Sequence, residues 1–202
     1  MRPGSRTGWP WWPRRLEGGR PRRADRAKWA EATERGIAAA RRARDPKVLV
    51  DLLLSDAMRL EWLEAKYDAS LERSREAAKL AEESGYEERL GGSYLLFGFV
   101  YDDQGKYAEA LDWYGKALAI WEKVLGRQHP DTARTYNGIA IVYGRQGKYA
   151  EALEWYGKAL AIQEKVLGRQ HPSTARTWNN IGQLCTEKAY EPACAFQRQH
   201  PR

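Results

Sequence analysis

The sequence predicts an all-α fold, a right-handed solenoid of helix-turn-helix repeats, and three observations carry that prediction. A block of 27 residues from Gln104 to Pro130 returns from Gln146 to Pro172 at an offset of 42, with only Asp112 changed to Glu154 and Trp121 to Gln163. Within each copy the apolar and small residues fall three and four apart: Tyr107, Ala110, Leu111, Tyr114, Ala117, Leu118, Val124 and Leu125, then Tyr149, Ala152, Leu153, Tyr156, Ala159, Leu160, Val166 and Leu167. That spacing builds one face of a helix. Each copy also carries its own punctuation, Gly105 or Gly147 before the helix and Gly126 or Gly168 after it, followed by His-Pro. Duplicated units of this length bury their apolar faces by stacking on their neighbours.

Taken in order, residues 1–23 combine Pro, Gly, Arg and three tryptophans without any period and read as a disordered basic arm. Residues 24–45 read as a helix, a remnant of an earlier repeat. Residues 46–89 form a diverged repeat. Its first helix covers about Lys47 to Trp62 and is entered at Asp45-Pro46; its second aligns Tyr67, Leu71, Ala77 and Leu80 with Tyr107, Leu111, Ala117 and Ile120. Two clear repeats follow, 90–131 and 132–173. In each, small residues such as Ala110 and Ala117 let a neighbouring helix approach. Gly126 and Gly168 close the long helix, and Asp131 and Ser173 occupy the positions where the next helix wants an N-cap.

Residues 174–186 supply the first helix of an incomplete repeat, and 187–202 read as an irregular tail. The Arg198-Gln199-His200-Pro201 sequence comes 29 residues after its counterpart instead of 42, which suggests that 13 residues of a third hairpin were lost or that the gene is read differently there. On that reading Trp178 and Ile181 lose the packing partner that a second helix provides, leaving an edge through which the chain would self-associate.

The formal charge is +7, but nine Lys or Arg residues against Glu17 and Asp25 between Met1 and Lys28 account for all of it, and the remaining residues carry 25 of each sign. A neutral body does not point to nucleic acid. Apolar runs such as Val48-Leu49-Val50 and Leu52-Leu53-Leu54 are interrupted by Asp51 and Ser55, far short of the roughly 20 residues of a membrane span. Cys185 and Cys194 cannot make a disulfide framework, and the chain reads as cytoplasmic.

The segment Tyr136-x-x-Ile139-Ala140-x-x-Tyr143-x-x-x-Gly147-x-Tyr149-x-x-Ala152-x-x-x-Tyr156-x-x-Ala159 resembles the tetratricopeptide repeat. The 42-residue period, with Leu-Gly-x-x-His-Pro and Thr-Ala-x-Thr-x-Asn, is similar to the kinesin-light-chain type of that repeat. The resemblance runs over residues 91–186. It implies a scaffold whose first helices line a concave groove that holds a peptide segment of a partner protein.

In that type, groove asparagines contact cargo peptides. Asn137 and Asn179 match the motif, and Asn180 conforms where Gly138 departs. An asparagine amide both donates and accepts, so it can hold an extended backbone without dictating its sequence. Arg134, Arg145 and Arg176 add selection for acidic ligands. The competing reading is that these asparagines only cap or bridge neighbouring hairpins, and both stand at this point.

Little else suggests chemistry. His129, His171 and His200 each precede proline one repeat or less apart and do not converge, which favours loop conformation over metal binding or catalysis. Cys185 takes the position of Tyr101 and Tyr143, a core substitution. Paired catalytic carboxylates and phosphate-binding glycine loops are not recognisable, so no enzyme activity and no cofactor or metal is expected. The alternatives are a basic arm using Arg14, Arg15, Arg22 and Arg23 on nucleic acid or acidic membrane, and a non-functional, self-associating fragment of a longer repeat protein.

Overall fold

The computed structural model describes residues 23–186 and 190–199. The expected arm lies outside them except for Arg23, which opens the first helix. Among the described residues every regular element is an α-helix: α1 (Arg23–Ala43), α2 (Pro46–Glu64), α3 (Tyr67–Glu83), α4 (Glu87–Asp103), α5 (Tyr107–Val124), α6 (Pro130–Arg145), α7 (Tyr149–Val166), α8 (Pro172–Thr186) and α9 (Glu191–Gln199). The architecture is an all-α repeat solenoid. Contacts divide the chain within α4 into two units, one ending at Leu96 and the other beginning at Phe97.

In the first unit, Asp45 caps α2 by accepting from the N–H groups of Lys47 and Val48, both at 3.1 Å, with Pro46 in the first turn. Val50, Leu53, Leu54 and Ala57 of α2 are buried with Leu71, Ala77 and Ala81 of α3 and Ile37 and Ala40 of α1. The Ser70 hydroxyl donates to the Ala57 carbonyl at 2.8 Å and fixes the register of the α2–α3 pair. A buried carboxylate is tolerable only when cations meet it. Asp56, which is wholly buried, receives Arg59 Nη2 at 2.6 Å and Arg73 Nε at 3.0 Å. Arg73 also reaches Glu34 of α1 at 2.6 Å, and Arg41 reaches Glu76 at the same distance, so α1 is tied to α3 by charge as well as packing.

The second unit repeats one hairpin design. Ala110, Tyr114 and Ala117 of α5, and Ala152, Tyr156 and Ala159 of α7, are buried, as their spacing predicts, and Trp121, outside the predicted stripe, is buried with them. Val124 and Val166 are not: at 40% and 41% exposed they lie off the buried stripe, which ends at Trp121 and Gln163. Gly105 and Gly147 turn the chain with φ of 74° and 77°, and Lys106 and Lys148 donate back to Tyr101 and Tyr143 at 2.8 and 2.9 Å. Side chains carrying a Cβ rarely adopt that backbone. A polar link also recurs from each second helix to the next first helix. Tyr136 donates to Glu122 at 3.0 Å, and in the next repeat Trp178 Nε1 donates to Glu164 at 3.3 Å.

Several expectations are corrected here. The cap of α6 is His129 rather than Asp131: the His129 Nδ1 accepts the Asp131 N–H at 3.2 Å. At α8, His171 Nδ1 likewise accepts the Ser173 N–H at 3.1 Å. Proline fixes the first helical position, so the residue before it is the one whose side chain can reach the free N–H groups. These two histidines thus have a defined structural task; His200 lies outside the described residues.

The expected irregular tail is also overturned over residues 191–199, where α9 forms and packs on α8. Ala193, fully buried, takes the place that Ala110 and Ala152 hold in their repeats, and Gln197 lies against Gly182 as Tyr114 lies against Gly98. The register is one residue short of the 42-residue period. Trp178 and Ile181 do not lose their partner: they are 5% and 0% exposed, with the Phe196 ring 5.8 Å from that of Trp178. Cys185 and Cys194 are joined to each other in a disulfide, a pairing that the expectation of a core substitution missed.

Candidate functional site

The residues singled out for peptide binding lie on first helices of the second unit: Arg134, Asn137 and Arg145 on α6, and Arg176, Asn179 and Asn180 on α8. The structure sorts them into two groups.

Asn137 and Asn180 meet. Asn137 is only 5% exposed, and its Oδ1 accepts from Asn180 Nδ2 at 3.4 Å. The Thr177 hydroxyl lies 3.2 Å from the same Oδ1 and 2.7 Å from Gln163 Oε1. A hydroxyl has one proton to give, and the shorter contact to Gln163 takes it more readily. Asn180 also donates to the Tyr156 hydroxyl, whose pKa is pushed up by burial first and by the charge of Asp102 second. These contacts link α6, α7 and α8 through a buried polar cluster. They support the bridging reading for Asn137 and Asn180.

Gln163, Thr177 and Tyr156 were missed by sequence reasoning as members of this cluster. One signal was visible: Gln163 is the single non-conservative difference between the two duplicated blocks, replacing Trp121. Trp121 is fully buried. Substituting an amide at that buried position demands a polar partner, and Thr177 provides it.

Arg145 turns away from the other candidates. Its guanidinium donates to the Asp102 carbonyl at 3.1 Å and lies 2.9 Å from the Asp102 carboxylate and 3.3 Å from that of Asp103. Burial opposes its charge, yet Asp102 and Asp103 hold its pKa above the ordinary value. Asp102 itself is pushed up to about 6, chiefly by burial, with Arg145 acting against the shift. Arg134 is half-buried and lies 3.7 Å from Asp131 on its own helix.

Arg176 and Asn179 are exposed. They stand three apart on α8 and so share a face of the helix. Arg176 is accessible to water but closely surrounded by protein, and desolvation alone lowers its pKa. Among the described residues no carboxylate forms an ion pair with it. A partly desolvated cation that meets no counter-charge among the described residues favours an anionic ligand.

The first unit holds a cavity of about 450 Å³ lined by Glu34, Asp56, Arg59, Lys66, Arg73 and Glu76 among others. Its cations already face carboxylates, Arg59 and Arg73 on Asp56 and Lys66 on Glu64 at 2.7 Å, so it offers no charge to a ligand. Among the described residues no group of three or more His, Cys, Asp or Glu side chains is placed to hold a metal ion. No helix among them is long and apolar enough to cross a membrane.

The family model of the tetratricopeptide repeat matches residues 89–165 and 140–200. No curated protein matches the sequence. Among solved structures, the fold is similar to BtubC (BKLC) from P. vanneervenii, with a TM-score of 0.70 at 23% identity over 88% of this chain and 75% of that one. It is also similar to a protein from Podosopora anserina with nearly identical TPR-like repeats, provisionally assigned as a kinesin light chain. Its two structures give TM-scores of 0.65 and 0.63, both at 19% identity over 87% of this chain and 85% of that one.

Proposed function

Because the chain belongs to the tetratricopeptide repeat family, whose repeats generally mediate contacts between proteins, we propose that it holds a peptide segment of a partner protein against the first helices of its second unit. Arg176 and Asn179 are the residues assigned to ligand contact. Asn179 offers an amide to an extended backbone, and Arg176 selects an acidic side chain or a terminal carboxylate by charge-assisted hydrogen bonds. Asn137 and Asn180 are assigned the supporting role, holding α8 in register with α6. Arg145 belongs to the support as well, since its charge is already matched by Asp102 and Asp103. No catalytic step is assigned; scaffolds built of these repeats are generally non-enzymatic.

The observation that carries this reading is the pairing on one face of α8 of an exposed amide with an exposed cation that no carboxylate among the described residues meets. Selection of a displayed random-peptide library on the full chain tests it, with an Arg176→Ser/Asn179→Ala variant as the control. Recovery of peptides sharing an acidic feature, whose affinity falls at least about tenfold on the variant while its melting temperature is unchanged, supports the assignment; a tenfold loss corresponds to about 1.4 kcal/mol. Failure to enrich any shared feature, or equal binding to both proteins, overturns it.

A further inference from the structure

We propose that Cys185 and Cys194 form a redox latch: oxidised, it holds α9 against α8, and reduced, it lets α9 detach while the α6–α7 hairpin stays folded. The two residues are nine apart in sequence, and their Cα atoms are 4.8 Å apart. One lies near the end of α8 and the other inside α9. Cys185 stands where Tyr101 and Tyr143 stand in the preceding repeats. There, the Lys106 and Lys148 ammonium groups lie 5.6 and 5.7 Å from the tyrosine rings. The same corner between first and second helix is thus a cation–π contact twice and a covalent bond once.

The third corner depends more on its bond. α9 has nine residues, against eighteen in α5 and in α7, and a helix of two and a half turns does not hold itself together in water. The non-covalent hold comes from the buried Ala193, Phe196 against Trp178 at 5.8 Å, Tyr190 against Tyr149 at 5.8 Å, the Tyr190 N–H donating to the Leu184 carbonyl at 2.9 Å and the Gln197 amide reaching the Trp178 carbonyl at 3.5 Å. The Arg198–Glu191 ion pair lies within α9 and adds nothing across the pair of helices. Both cysteines are partly exposed, so a small dithiol can reach the bridge.

The reaction is a thiol–disulfide exchange. A thiolate of the dithiol attacks one sulfur of the bridge and the Cys185–Cys194 bond breaks. The second thiol of the reductant then closes its own disulfide, and both cysteines emerge as thiols carrying the two protons. A reducing cytoplasm would hold the latch open, and an oxidising compartment would close it.

Hydrogen–deuterium exchange on the full chain tests the latch in three samples: oxidised with glutathione disulfide, reduced with dithiothreitol, and a Cys185→Ser/Cys194→Ser variant. Closing a loop of this size disfavours the open form by about a hundredfold. Amides of 191–199 are therefore expected to lose up to about a hundredfold of protection on reduction, with α6 and α7 unchanged, and the variant is expected to match the reduced protein and ignore dithiothreitol. Equal protection of α9 in the oxidised and reduced samples overturns the proposal. So does titration of two free thiols after glutathione disulfide treatment, or reduction that exposes α6 and α7 together with α9.

Discussion

Gly98 lies directly under the ring of Tyr114: a Cβ on Gly98 would stand 2.3 Å from Cε1 and 2.4 Å from Cδ1 of the tyrosine. Tyr114 is fully buried, and Gly138 on α6 faces it as well, where a Cβ would lie 3.0 Å from Cζ. The ring thus joins α4, α5 and α6 within the second unit. It also explains the departure of Gly138 from the asparagine that Asn180 supplies one repeat later. A side chain there would crowd Tyr114, whereas Tyr156 instead accepts a hydrogen bond from Asn180.

Replacing Gly98 by Ala is accordingly expected to destabilise the protein by about 1–3 kcal/mol, the cost of overpacking a filled core. Gly138→Ala should be close to neutral, because a shift of a few tenths of an ångström at the ring edge is offset by the gain of about 1 kcal/mol in helix propensity. Urea denaturation of both variants checks the order. A Gly98→Ala protein as stable as the parent would show that Tyr114 is free to move.

The histidine caps predict a second contrast. His171→Ala removes the acceptor for the Ser173 N–H and should cost about 1 kcal/mol, whereas His171→Asn restores an acceptor and should lie within a few tenths of the parent. Thermal melts read against urea midpoints distinguish the two, and equal losses in both variants would assign the role to the ring's packing instead of its nitrogen.

The third prediction concerns pH. The Asp102 carboxyl titrates at about 6 in the folded chain, raised mainly by burial from 3.8. Between those values the folded protein holds a proton that the unfolded chain has released, so this group makes the protein more stable as pH falls and less stable as pH rises through about 6. Other carboxylates act in the opposite direction on acidification, so the measurement is a difference. The urea midpoint of Asp102→Asn, relative to the parent, should be most favourable near neutral pH, and the gap should shrink as pH falls towards about 4. A constant gap across that window would remove Asp102 as its source.

The asparagines separate by burial. Asn137→Ala deletes the acceptor of the Asn180 amide inside the buried polar cluster and should lower stability by about 1–2 kcal/mol. Asn179→Ala, at an exposed position, should change stability by no more than a few tenths while weakening ligand capture. Measuring melting and binding together on each single variant checks this; a loss of binding without loss of stability in Asn137→Ala would return Asn137 to the contact set.

What the sequence determined by itself is the repeated helical hairpin. Tyr, Ala and Leu at steps of three and four specify which face is buried, and Gly105, Gly126, Gly147 and Gly168 specify where each helix stops. Both are local rules, because helical geometry brings residues four apart together whatever surrounds them. Tertiary structure alone decided which candidates are buried and which are exposed. Asn137 and Asn179 sit in the same motif and are chemically identical, yet one is buried under Thr177 and Asn180 of the next first helix and the other is exposed. The same holds for the arginines, Arg145 being paired to Asp102 from 43 residues away while Arg176 meets no carboxylate among the described residues. The nine-residue α9 belongs with them: too short to declare itself by propensity, it forms because Trp178, Gly182 and Cys185 give Phe196, Gln197 and Cys194 somewhere to pack. A repeat motif states what a residue is, but its burial and partners come from neighbours that only the folded chain brings near.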